Sequence, residues 1–247
     1  MAETDWTLLN NSQDANTVAR GVTAGAVKPN SAVTNSFVYG FNSLLATEGA
    51  IGWYCNRANF APMQNDGAAA TGGSIRGCVK RGTSSAPQTG FAPMLFINLK
   101  SGLSASPAVE DTGYLLGLED SDPHRVVLAK RAPRAGLTVT TSDKSIMRVS
   151  SVSFPPDTWL HLRLDAIFNQ NGDVVLRCFR NDLALNTIQA PNWQPIPGMD
   201  DFIDDAIAVN TGSTPLKGGF AGFAFFSKDL QKRAYFDHLE VLRQKVS

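Results

Sequence analysis

The stretch TWLHLRLDAIFNQNGDVVLRCFRND, Thr158 to Asp182, decides how this chain folds. Leu160, Leu162, Leu164, Ala166 and Phe168 alternate with His161, Arg163, Asp165 and Ile167, which makes a strand with one apolar and one largely polar face. Asn169–Gly172 supplies residues that tolerate the positive φ of a tight turn. Val174, Leu176 and Cys178 then return on one face and Val175, Arg177 and Phe179 on the other, so the segment predicts an antiparallel hairpin.

The same rhythm extends in both directions. Short runs of β-branched and aromatic residues are punctuated by Gly, Pro, Asn and Asp, the pattern of a sandwich or barrel. Candidate strands before the hairpin are Thr34–Phe41, Ile51–Cys55, Ser74–Lys80, Phe91–Leu99, Gly113–Leu118, Arg125–Lys130 and Ile146–Phe154; after it come Gly218–Phe226 and Ala234–Leu242. One short helix is expected over Asp200–Ile207, where Met199, Phe202, Ile203 and Ile207 recur at near-helical spacing and Asp200, Asp201, Asp204 and Asp205 would mostly face water. Long Gly- and Pro-rich loops are expected at Asn59–Ser74, Gly82–Gly90 and Thr187–Gly198. The expected organisation is an N-terminal arm or edge strand over residues 1–30, followed by a single all-β domain over 31–247.

Composition narrows the function. Lys plus Arg equal Asp plus Glu at 22 each, so no net field draws in nucleic acid or an anionic membrane, and neither is expected as a partner. No apolar run reaches the ~20 residues that cross a bilayer, and MAETDWTLLNNSQD lacks the apolar segment of a leader, which predicts a soluble chain made in the cytoplasm. Cys55, Cys78 and Cys178 are odd in number and lack C-x-x-C spacing, so they read as small buried hydrophobes, with a Cys55–Cys78 bridge or an intermolecular bond as the alternatives.

The hairpin PPDTWLHLRLDAIFNQNGDVVLRCFRND, with GGFAGFAFFSKDLQKRAYFDHLEV after it, resembles the concanavalin A-like lectin and glucanase jelly roll and its laminin G-like relatives. The resemblance covers roughly Phe154 to Val241 and implies an antiparallel β-sandwich; motifs of this kind specify a fold and leave the reaction open. More loosely, GGSIRGCVKRG, TGFAPMLFINL, GYLLGLEDSDPHRVVLAKR and IPGMDDFIDDAIAVNTGS resemble virion proteins of tailed bacteriophages. That likeness implies a non-enzymatic structural or decoration role in the virion, with other virion proteins and copies of the chain itself as partners.

The glucanase branch carries Glu-x-Asp-x-x-Glu, and the five glutamates, Glu3, Glu48, Glu110, Glu119 and Glu240, nowhere take that spacing. Glu119, Asp120 and Asp122 read as a solvated loop ended by Pro123. Lectins of this fold commonly hold calcium, but Asn169, Asn171 and Asp173 lack the later carboxylate and read as a turn, so no metal or other cofactor is expected. His124, His161 and His238 form neither a hydrolase nor a zincin motif. Strict alternation in AYFDHLEV puts Asp237 and His238 on opposite faces, so no side-chain dyad is expected there. The alternative to a virion role is a lectin-like module for host-surface or extracellular glycans, whose candidate stacking residues are Trp193, Trp53, Tyr54 and Tyr114. Trp193 stands between prolines in APNWQPIPG, either anchoring that loop or presenting a platform.

Overall fold

The computed structural model describes residues 6–11, 18–23, 38–43, 50–56, 71–81, 91–100, 112–119, 121, 123–132, 136–155, 158–182, 191–205, 214–227 and 233–245; in the first four segments it describes the course of the backbone. Among these residues the strands form two antiparallel sheets. The first contains β1 (Trp6–Asn11), β4 (Ala50–Asn56), β6 (Phe91–Lys100), β7 (Thr112–Leu118), β8 (Arg125–Arg131), β9 (Ile146–Ser153) and β14 (Phe220–Ser227), in the order β1-β4-β14-β6-β7-β8-β9. The second contains β2 (Val18–Thr23), β3 (Val38–Ser43), β5 (Thr71–Arg81), β10 (Leu160–Phe168), β11 (Val174–Asn181), β12 (Trp193–Pro195) and β15 (Arg233–Lys245), in the order β12-β11-β10-β5-β15-β3-β2. An eighth strand, β13 (Phe202–Asp204), also pairs with β11. The first thirty residues thus contribute β1 and β2, one edge strand to each sheet.

The hairpin takes the register that its alternation demands, with Leu164 opposite Cys178 and Asp165 opposite Arg177. Gly172, at φ 85°, closes the turn by donating its N–H to Asn169 O at 3.0 Å. Asn169 also receives the Asp173 N–H on its Oδ1 and donates from Nδ2 to the Asp173 carboxylate, both at 2.9 Å, so the turn's own amide engages that carboxylate.

The core lies between the sheets. Leu162, Leu164 and Ala166 of β10 meet Leu116, Leu128 and Phe223 of the first sheet, all with essentially no exposure. Phe223 of β14 and Phe236 of β15 touch across the gap with ring centroids 4.8 Å apart. Burying each such ring stabilises the fold by roughly 1.5–3 kcal/mol. A second apolar cluster covers the outer face of the first sheet, where Leu137 closes over Met94, Phe96, Leu115 and Val127.

The helix expected over Asp200–Ile207 does not form in its described part. Phe202 is buried, Ile203 half exposed and Asp204 buried, a period of two that seats β13 against Val174–Leu176. Asp204 departs from the expected solvated face because Lys130 and Tyr114 engage its carboxylate inside the protein. The sheets also set Cys55 and Cys78 apart. Cys55 lies on β4 of the first sheet and Cys78 on β5 of the second, and the Cys78 and Cys178 thiols are free and buried.

Candidate functional site

The polar face of β10 and its neighbours forms the outer face of the second sheet. Register sets His161 beside Cys78 and Cys78 beside Asp237; one step along, Phe179 stands beside Arg163, Arg163 beside Arg76, and Arg76 beside Glu240. Cross-strand neighbours on one face are close enough to interact, so four strands here present a continuous row of side chains. Oppositely charged groups on it pair off. Arg163 grips Asp165 through two bonds of 2.6 and 2.7 Å, Arg76 bonds Glu240 at 2.5 and 2.9 Å, and Arg177 bonds Asp201 at 2.8 Å.

Trp193 sits at the β11 edge of this face, opposite Asn181. Its ring packs on the His161 imidazole, with centroids 4.6 Å apart and planes tilted by 60°, and the Arg163 guanidinium lies 5.9 Å from its centroid. Half of the anchor-or-platform alternative is therefore satisfied on one side of the ring, while the residue stays partly exposed. A chain of amides surrounds it. Gln194 Nε2 donates to Asn192 Oδ1 at 2.9 Å, the Asn192 backbone N–H donates to Asn181 Oδ1 at 3.0 Å, and Asn181 Nδ2 stands 3.3 Å from His161 Nδ1. Burial, then the nearby Arg76 and His238, pushes the His161 pKa down to about 4. At neutral pH the imidazole is uncharged, and its Nδ1 accepts the Asn181 bond.

The loop behind Trp193 is fixed by one glycine. Gly198 has φ 80°, and a Cβ there would lie 2.7 Å from the Ser151 backbone nitrogen, whose N–H donates to Pro197 O at 2.8 Å. Gly198→Ala combines left-handed strain with that clash, so it is expected to cost roughly 2 kcal/mol. A shift in the urea unfolding midpoint at unchanged slope checks this.

Asp237 and His238 correct the sequence expectation. β15 carries a bulge between Asp237 and Glu240, and His238 adopts φ 50°. The extra residue breaks the alternation, turns Leu239 inward and brings His238 Nδ1 to 3.1 Å from Asp237 Oδ2. The His238 backbone N–H also donates to Asp237 Oδ1 at 2.8 Å. The two side chains are therefore in contact beside Cys78, whose thiol is held well above its usual range by burial and by Asp237.

The four expected stacking residues are not brought together. Tyr114 is a fully buried core residue of β7 whose hydroxyl bonds Asp204, so a sugar ring cannot reach it. Trp53 and Tyr54 lie on β4 of the opposite sheet, and their side chains fall outside the described residues. The companions of Trp193 are instead His161, Arg163 and Asn181. Their signal was present in the alternation that set them on the polar face of the hairpin. Among the described residues no group of three or more His, Cys, Asp or Glu side chains could hold a metal ion.

No family model matches the chain, and no curated protein matches it in sequence. Solved structures do match in shape. A cellulose induced protein, Cip1, has a TM-score of 0.52 at 11% identity, covering 98% of this chain and 92% of its own. A protein of unknown function from Shewanella oneidensis MR-1 has a TM-score of 0.50 at 11% identity, covering 100% and 81%. The metal-free carbohydrate recognition domain of Emp46p has a TM-score of 0.49 at 10% identity, covering 97% and 88%. At such identities the likeness is one of fold, and the fold is the concanavalin A-like antiparallel jelly roll.

Proposed function

We propose that this chain is a non-enzymatic, lectin-like carbohydrate-binding module that holds a glycan on the outer face of its second sheet, against Trp193. The observation that carries this reading is the partly exposed Trp193 ring, backed by His161 and bordered by Asn181, Asn192 and Gln194. A sugar offers an apolar ring face and a rim of hydroxyls. An aromatic plate beside amides that both donate and accept matches the two together. The shared fold does not select this function; the aromatic and amide cluster does.

Binding is favoured over hydrolysis because Asp165 and Glu240 on this face are each held by an arginine, and Asp237 contacts His238. Two carboxylates poised across a glycosidic bond would need freedom to exchange protons with it. This reading takes the place of the virion role expected from the sequence, because what stands out in the described residues is a recognition cluster.

Trp193→Ala is expected to weaken the Kd for the best ligand on a glycan array about tenfold, or 1.4 kcal/mol, without changing the fold. Titration calorimetry on that ligand reads the change. An unaltered Kd, or a wild-type chain that retains no glycan, sinks the proposal.

A further inference from the structure

A lysine, an aspartate and a tyrosine meet inside the sandwich. Lys130 belongs to β8 of the first sheet, and Asp204 to β13, which pairs with β11 of the second. Both side chains are wholly buried, and Lys130 Nζ lies 2.6 Å from Asp204 Oδ2. Tyr114 donates its hydroxyl proton to the same Oδ2, also at 2.6 Å, and receives the Leu216 backbone N–H at 2.8 Å. Lys130 Nζ donates in addition to Thr214 O at 3.1 Å.

We propose that this cluster is a modification site at which Lys130 and Asp204 join through an intramolecular isopeptide bond, with Tyr114 as the positioning and proton-carrying residue. The amine and the carboxylate are the two reactants of amide formation, held in contact and out of solvent, where proximity replaces the encounter that free groups would need. Both donors converge on one oxygen, which marks Oδ2 as the leaving atom. One proton passes from Nζ to Oδ2, the freed amine attacks Cγ, and the Nζ–Cγ bond forms. A second proton travels from Nζ by way of the Tyr114 hydroxyl to Oδ2, and the Cγ–Oδ2 bond breaks. Nζ has then given up two of its three protons, water leaves with both, Oδ1 remains as the amide oxygen, and the phenol ends as it began. No oxidant or co-reactant is needed.

Tyr114 suits this part. Burial and the adjoining Asp204 hold its phenol well above the ordinary value, so it stands as an O–H donor, while the Leu216 N–H eases transient charge on its oxygen. Asn98 Nδ2 fixes the same Leu216 segment by donating to its carbonyl at 2.7 Å. The product would tie one sheet to the other covalently, an internal clasp against unfolding at the β13 end.

The test is the intact mass of the purified, denatured full-length chain, followed by peptide mapping. The expected result is a mass one water below the sum of the sequence, with a branched peptide joining Lys130 to Asp204. Lys130→Arg should restore the missing water, and Tyr114→Phe should leave most chains unlinked, with circular dichroism confirming that both variants are folded. A wild-type mass equal to the sequence sum overturns the proposal. So does a water deficit that maps to a cyclic imide at Asp66–Gly67 instead. Complete linkage in Tyr114→Phe overturns the part given to Tyr114.

Discussion

Asp204→Ala is expected to lower the unfolding free energy by about 3–5 kcal/mol, the usual consequence of leaving a buried charge without its partner. The carboxylate is the common acceptor for Lys130 and Tyr114, so its removal strands an ammonium and a phenol at once. Lys130 would lose its carboxylate partner, and a neutral acceptor such as the Thr214 carbonyl does not offset the desolvation of a cation. Against a total stability of typically ~5–15 kcal/mol, the loss takes a large share, with a fall in Tm on the order of 10 °C for a chain of this size. The figure refers to the unlinked chain, in which Lys130 and Asp204 remain an ion pair; the amide proposed above would replace that pair. Urea titration of the wild type, Asp204→Ala and the double variant Lys130→Met/Asp204→Leu decides the matter. The double variant is expected to recover much of the stability, because an apolar pair of similar volume carries no desolvation cost. If Asp204→Ala unfolds at the wild-type midpoint, the cluster is energetically idle and this account of the β13 end fails.

How far the sequence spoke depends on whether the deciding interactions were local. The β10–β11 hairpin was legible because strand period, turn residues and register all lie within Thr158–Asp182, and the observed pairing of Leu164 with Cys178 follows from them. The β15 bulge was not. Alternation assumes an extended backbone at every residue, and a single left-handed histidine, His238, is enough to exchange the faces and reunite it with Asp237. β13 was misread for a related reason. Its three residues are too few to show a period, and the aspartate that looked solvated is satisfied by Lys130, which belongs to the other sheet. The site suffered the same limit. Trp193 could be singled out as a tryptophan between prolines, whereas its backing by His161 depends on β12 pairing with β11. The alternation had placed His161 on a polar face, yet nothing local said which strand would lie beside it.

Acidification is expected to cost this fold on the order of 3 kcal/mol between about pH 6.5 and pH 4 through His161 alone. The folded-state pKa of about 4 lies below the ordinary histidine value of about 6.5, so in this window the unfolded chain binds a proton that the native chain refuses. Stability from this group is complete above the unfolded pKa and is lost as the pH falls toward the folded one. The cause is first burial, since His161 is only 3% exposed, and then the surrounding charge. Its surroundings come from four other strands: Arg76, Cys78, Asn181, Trp193, and the Asp237–His238 pair, with Arg163 two residues along β10. A protonated ring would also lose its acceptor at Nδ1, and with it the Asn181 bond that continues the amide chain beside Trp193. Glycan binding should therefore weaken along with stability as the pH drops. His161→Gln retains a side-chain acceptor but cannot titrate, so its unfolding free energy should stay nearly level across the window apart from the slope that carboxylates add to both proteins. Paired urea titrations at pH 7, 5.5 and 4.5 test this. Parallel curves for the two proteins would show that His161 is not held neutral by its burial, and the support it gives Trp193 would then have to be sought in packing alone.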